Sequence, residues 1–254
     1  MTRPRVYKTE AIVLKRISLG EADNIVTLYT PHLGKIRAVA KGVRKPTSRL
    51  GGHLEPLTQS SLLIAQGQNL DIITQGQTIE GFLPLRTSLW NACCAIYVAE
   101  LVDQFTVEQV EDHPFYRLLH TTLMWLCEAR SCELVLRYFE LHLLSHLGYQ
   151  PELYECLSCR SSLEPKKNLF SVPDGGVLCP DCSRTGPSAQ PISVDAIKAM
   201  RYLLSSDRAS AGRLRMNTEL SHELEHLLRG YMRHLLEREL RSATFLDHLR
   251  IQGT

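Results

Sequence analysis

The sequence predicts an α+β chain: an N-terminal five-stranded barrel, then an α-helical domain into which a small four-cysteine module is inserted. Three observations carry that expectation. Up to about residue 80 the chain consists of short runs rich in β-branched residues, punctuated by Pro and Gly. From about Thr87 large apolar residues recur at helical spacing. Two C-x2-C pairs then stand nineteen residues apart within the helical part.

Composition sets the frame. A chain of 254 residues, 44% of them hydrophobic, can bury real cores in one large or two modest domains. The net charge of +2 conceals a strong polarity: residues 1–60 carry eleven Lys or Arg against four acids, whereas residues 81–150 carry four against eight. The start, "MTRPRVYKTEAIVLKR", has no apolar run of secretory-signal length, and no segment approaches the ~20 apolar residues of a membrane span, so the expected place is the cytoplasm. In a reducing compartment the eight cysteines are not a disulfide framework and need other roles.

The first domain is expected over residues 1–82. "TEAIVLKRI" and "NIVTLYT" read as strands, and Pro31–Gly34 as a tight turn into a third. That third stretch, "GKIRAVAKGVRKPTSRLGG" (34–52), sets six cations, Lys35, Arg37, Lys41, Arg44, Lys45 and Arg49, in nineteen positions without an acid. Strand alternation puts Ile36, Ala38 and Ala40 on one face and Lys35, Arg37 and Lys41 on the other, which is expected to be exposed. The remaining three cations fall on a loop ending at Gly51 and Gly52. "LTQSSLLIA" and "LDIITQGQT" complete five short strands, the number and length of a closed barrel of the oligonucleotide-binding type. A one-signed cluster on such a barrel points to DNA or RNA phosphates. A membrane surface would want Trp, Phe or Leu interleaved on an amphipathic helix, and none is there. With only Tyr7 and Tyr29 before Phe82, stacking is scarce, so binding should be dominated by phosphates and weakly selective for sequence.

The helical domain is expected over residues 83–152 and 190–254. "SLWNACCAIYVAELVDQF", "PFYRLLHTTLMWLCEA" and "CELVLRYFELHLLSHLG" are its first three helices; Cys93, Cys94, Cys127 and Cys132 sit among their apolar residues as core, and His142 and His146 as a polar edge. Between them and the last helices lies the module, residues 153–189. Cys156 with Cys159, and Cys179 with Cys182, form two knuckles at zinc-ribbon spacing, joined by "NLFSVPDGGVL", which reads as a hairpin turning at Asp174, Gly175 and Gly176. Four thiolates with no further ligand make a closed, structural Zn2+ site, one per chain. "HELEH", His222 to His226, fits the pattern of zinc hydrolases with Glu223 as base. On the helix, however, its histidines fall beside Arg229 and Arg233, away from the stripe Leu220, Leu224, Leu227, Leu228, Tyr231 and Leu235, and that is the solvated side. No catalytic residues are assigned, and the chain is read as a non-enzyme.

The stretch "TEAIVLKRISLGEADNIVTLYTPHLGKIRAVAKGVRKPTSRLGGHLEPLT" resembles the start of the bacterial recombination mediator and DNA repair protein family RecO, and the order of parts matches that family over nearly the whole chain. The resemblance implies an oligonucleotide-binding barrel, a helical domain and a four-cysteine zinc module. It also implies binding of single- and double-stranded DNA, annealing of complementary strands, and loading of RecA onto strands coated by single-strand binding protein, together with RecR. DNA contacts would lie on Lys35, Arg37, Lys41, Arg44, Lys45 and Arg49; the acidic tail of single-strand binding protein would dock on the helical part. The alternatives are a zinc-ribbon nucleic-acid-binding accessory factor in transcription or translation and, remotely, a zinc hydrolase using His222, Glu223 and His226.

Overall fold

A 14-residue first strand, β1 (Val6–Leu19), pairs with two neighbours at once. Val6–Ile12 run antiparallel to β4 (Gln59–Ala65) and Ile12–Leu19 antiparallel to β2 (Asp23–Thr30). A register shift between Val13 and Lys15 marks the bend, as a bulge does where a sheet must curl. β3 (Gly34–Ala40) pairs with β2, and β5 (Asp71–Glu80) closes the circuit against both β3 and β4. The result is a closed barrel of order β1-β2-β3-β5-β4, the five-stranded oligonucleotide-binding fold. Its interior is filled by the inward alternation of each strand, including Val26 and Leu28, Ala38 and Ala40, Leu62 and Ile64, with Val43 and Leu54 from the long loop after β3. The computed structural model describes residues 5–182 and 189–252; the first four residues of the expected 1–82 domain and residues 183–188 and 253–254 lie outside it.

The helices follow the spacing of the sequence. They are α1 (Leu89–Phe105), α2 (His113–Glu128) and α3 (Cys132–His146), then, after the short strands β6 (Asn168–Ser171), β7 (Gly176–Leu178) and β8 (Ala189–Ile192), α4 (Val194–Ser205), a single turn α5 (Arg208–Ala211), α6 (Thr218–Leu236) and α7 (Arg241–Gln252). Ser88, Ser193 and Asn217 cap α1, α4 and α6 by accepting a backbone N–H three residues on. No helix among the described residues is long and apolar enough to cross a membrane.

Packing gathers the chain into two compact units, one from the described residues of Met1–Glu128 and Leu240–Thr254, the other Ala129–Glu239. The sequence groups helices by their period, but packing groups α1, α2 and α7 with the barrel. In that unit the Tyr29 ring of β2 is 2% exposed and meets Phe115 of α2 edge-on at 5.6 Å, while the Gln59 amide of β4 donates to the Tyr116 hydroxyl at 3.0 Å. Glu100 of α1 accepts the first N–H groups of α7, from Arg241 (3.1 Å) and Ser242 (2.8 Å), where the helix dipole favours an acid.

In the second unit α3, α4 and α6 pack together around Leu141, Leu144, Met200, Leu224 and Leu228. Arg137 is buried in this unit, bonded to Glu140 at 2.6 Å and 3.6 Å from Glu225. β8, which the sequence pattern does not predict, adds to the expected β6–β7 hairpin in the order β7-β6-β8; Pro191 is tolerated there because β8 is an edge.

Candidate metal centre and nucleic-acid interface

The cationic stretch divides into two environments. Lys35, expected on an exposed face, is 8% exposed: its ammonium donates to the Asp103 carbonyl at 2.5 Å and lies 3.7 Å from the Asp103 carboxylate. Burial pulls its pKa down, against the pull of Asp103 and Glu108. Arg37 remains half-exposed but is paired with Glu108 at 2.6 Å. The acids come from α1 and the segment after it, which docks on the β2–β3 turn: Gln109 N–H donates to the Lys35 carbonyl at 2.9 Å. Gly34 has φ +58°, and a Cβ there would lie 1.9 Å from the Val110 carbonyl oxygen, so only glycine allows that approach. Asp103 also meets Lys15 at 2.5 Å, and Glu111 meets His32 at 3.3 Å. Nothing along the sequence marks these individual acids as partners of the cations, although the acid excess of residues 81–150 is their signal.

The other four cations, Lys41, Arg44, Lys45 and Arg49, are exposed. Their loop is ordered by hydrogen bonds to the β1–β2 turn and to the side chain of Asp23 at the start of β2. Gly42 N–H donates to Asp23 at 2.7 Å, Arg44 N–H to the Ala22 carbonyl at 2.9 Å, and the Arg44 guanidinium to the Gly20 carbonyl at 3.2 Å. A pre-ordered loop presents its charges with less ordering entropy left to lose on binding.

The four cysteines converge. Glu152 N–H donates to the Gly175 carbonyl, Val177 N–H to the Glu152 carbonyl and Leu157 N–H to the Val177 carbonyl, each at 3.0 Å, which ties the first knuckle to the hairpin. Arg160 turns the first knuckle with φ +59°, so that its N–H reaches the Cys156 carbonyl at 2.9 Å. The four Sγ atoms all lie within 4.8 Å of one another. Four sulfurs ~2.3 Å from a tetrahedral zinc stand about 3.8 Å apart; Cys159 and Cys179 are 3.8 Å apart. Burial pushes the Cys156 thiol up, but the N–H groups of Cys179, Cys159 and Ser158 outweigh it and bring it down to about 6. The Ser158 hydroxyl lowers Cys182, whereas the crowded thiols of Cys159 and Cys179 raise it, and the net is about 12. Crowded thiols of this kind ionise together more readily when a cation offsets their repulsion, so the four could hold a metal ion. Among the described residues no His, Asp or Glu joins the set, so it is closed.

The histidine pattern on α6 serves another purpose. Glu223 accepts from both the backbone N–H (2.6 Å) and the hydroxyl (2.7 Å) of Ser193, the cap of α4, while His222 and His226 are not buried and join no metal cluster among the described residues. His142 packs on Tyr138 with ring centroids 4.1 Å apart and makes a 3.1 Å bond to the Leu203 carbonyl; burial pulls its pKa down. Cys93, Cys94 and Cys132 are buried, as core cysteines should be.

The chain thus joins the class of proteins built on an oligonucleotide-binding barrel, with a four-cysteine group that could hold a metal ion further along the chain. The family models described as Recombination protein O N terminal and Recombination protein O C terminal match residues 1–82 and 86–244. The chain is 46% identical to the DNA repair protein RecO of Roseiflexus sp. strain RS-1, over 98% of this chain and 87% of that one. It is 42% identical to that of Dehalococcoides mccartyi strain BAV1, over 99% of both, and 34% identical to that of Desulforamulus reducens strain MI-1, over 96% and 95%. The chain belongs to the RecO family of DNA repair and recombination proteins.

Proposed function

We propose that the protein is a non-enzymatic recombination mediator: it binds single- and double-stranded DNA, anneals complementary strands and, with RecR, helps load RecA onto DNA coated by single-strand binding protein. One observation carries the reading: in a RecO-family chain, the oligonucleotide-binding barrel presents Lys41, Arg44, Lys45 and Arg49 on one ordered, acid-free loop. Cations at that edge offset backbone phosphates, so two strands approach with less repulsion while their bases stay free to pair. Arg37 contributes when Glu108 releases it, whereas Lys35 stays held by Asp103. The metal is one Zn2+ on Cys156, Cys159, Cys179 and Cys182; when bound it supplies folding energy, and these thiolates hold the second unit's hairpin and knuckles together. The apolar helices are the docking platform for the tail of single-strand binding protein. Annealing of complementary oligonucleotides by the purified protein, with and without single-strand binding protein, tests the reading. Faster annealing on both bare and coated strands is expected, and no acceleration on bare strands would overturn it.

A further inference from the structure

At one end of the barrel the inward register changes character. Cross-strand partners share a face, and the pairs Arg16↔Val26, Ser18↔Asn24 and Asn24↔Ala40 place Arg16, Ser18 and Asn24 on the face that lower down carries the core residues Val26 and Ala40. A barrel mouth is otherwise stoppered by apolar side chains or left open to a ligand. Here a cleft of about 350 Å³ opens instead, lined by Arg16, Ser18, Asn24, Arg44 and Glu55 over Val43. That volume falls in the ~300–1,000 Å³ range of small-ligand sites.

Two features point to what it takes. The Asn24 residue is only 6% exposed, lines the cleft and makes no side-chain hydrogen bond among the described residues, so a donor and an acceptor wait there together. The Arg16 guanidinium, 29% exposed, is held as a two-pronged fork by the Glu55 carboxylate at 2.9 and 3.0 Å. A carboxylate so placed occupies the geometry that a phosphate would take. Arg44, exposed at the rim, adds a second guanidinium and joins the cleft to the cationic loop.

We propose that this mouth seats one unstacked nucleotide of a single DNA strand. The phosphate displaces Glu55 from Arg16 and bridges to Arg44, and the base edge meets the Asn24 amide. Glu55 is then a stand-in anion that the strand must evict, which makes the seat weaker than its cations alone would dictate. The inference rests on the DNA-binding function proposed above and assigns it three residues, Arg16, Asn24 and Glu55, outside the cationic loop.

The test is binding of labelled oligodeoxythymidylate, and of an abasic strand of equal length, by the full-length protein and by the variants Arg16→Ala, Glu55→Gln and the two combined, each checked for an unchanged melting temperature. Arg16→Ala should weaken binding to the thymidylate strand on the order of tenfold, and Glu55→Gln should strengthen it by a similar factor, the weight of one charge-assisted hydrogen bond removed or released. The double variant should lose the gain, and the abasic strand should respond less to every change. Equal affinities for wild type and Arg16→Ala, or weaker binding by Glu55→Gln, would overturn the seat while leaving DNA binding by the loop intact. Should a single variant melt early, Arg16→Lys, which keeps the charge but not the fork, must still lose affinity, and full affinity there overturns the seat as well. Failure of the wild type to bind either strand would instead overturn the function itself.

Discussion

The salt dependence of DNA binding should report how many cations the folded chain leaves free. The stretch from Gly34 to Gly52 contains six, and six phosphate contacts on a single strand would give a slope of log affinity against log salt of about −4, at ~0.7 per contact. Lys35 is buried against Asp103, and Arg37 is paired with Glu108 at 2.6 Å. Only Lys41, Arg44, Lys45 and Arg49 remain, and the expected slope falls to about −3. Fluorescence anisotropy of a labelled oligodeoxythymidylate over a salt series reads it directly. Glu108→Gln frees Arg37 and should steepen the slope by ~0.7 while raising affinity. Lys35→Met should leave the slope unchanged, and alanine at the four loop cations should weaken binding to all sequences alike, because phosphates carry no sequence information. A wild-type slope near −4 that shrinks in Lys35→Met would show that the Asp103 pair opens for DNA and refute this division of the cations; a slope near zero would refute electrostatic binding altogether.

Other measurements bear on the remaining structure. Purified protein should contain about one zinc per chain by elemental analysis, and Cys156→Ser should lose the zinc and melt at lower temperature while His222→Ala and His226→Ala keep it; unchanged melting after full chelation would remove the structural role. Arg137→Ala leaves the buried Glu140 without its 2.6 Å partner and should cost about 3–5 kcal/mol in denaturant unfolding, whereas a loss under about 1 kcal/mol would mean that water reaches the site. His142 has a pKa pulled below its ordinary 6.5 by burial, so the unfolded chain binds a proton first on acidification; stability should fall as pH drops below 6.5, and His142→Gln should flatten that fall. A fragment ending near Leu85 should fail to give a cooperative melt by circular dichroism, because Tyr29 and Gln59 would lose Phe115 and Tyr116 of α2.

Whatever repeats over short distances was legible in the amino-acid order alone. β-branched runs bounded by Pro and Gly specify five strands, and 3.6-residue periodicity specifies the helices, because both depend on neighbours within a few residues. The convergence of the four cysteines was equally legible, since C-x2-C spacing brings two thiols together wherever the knuckle folds. Which charges stay free is instead a matter of long-range packing. Lys35 and Asp103 lie 68 residues apart, and nothing in the local alternation of β3 says that α1 will cover one of its cations. Packing also assigns α1, α2 and α7 to the barrel, since an apolar helix stripe specifies that it will be buried but not against what. Arg16 and Asn24 reached the barrel mouth by the same rule: the inward face of a strand depends on register with its partners, and register is set when the sheet closes, not along the chain.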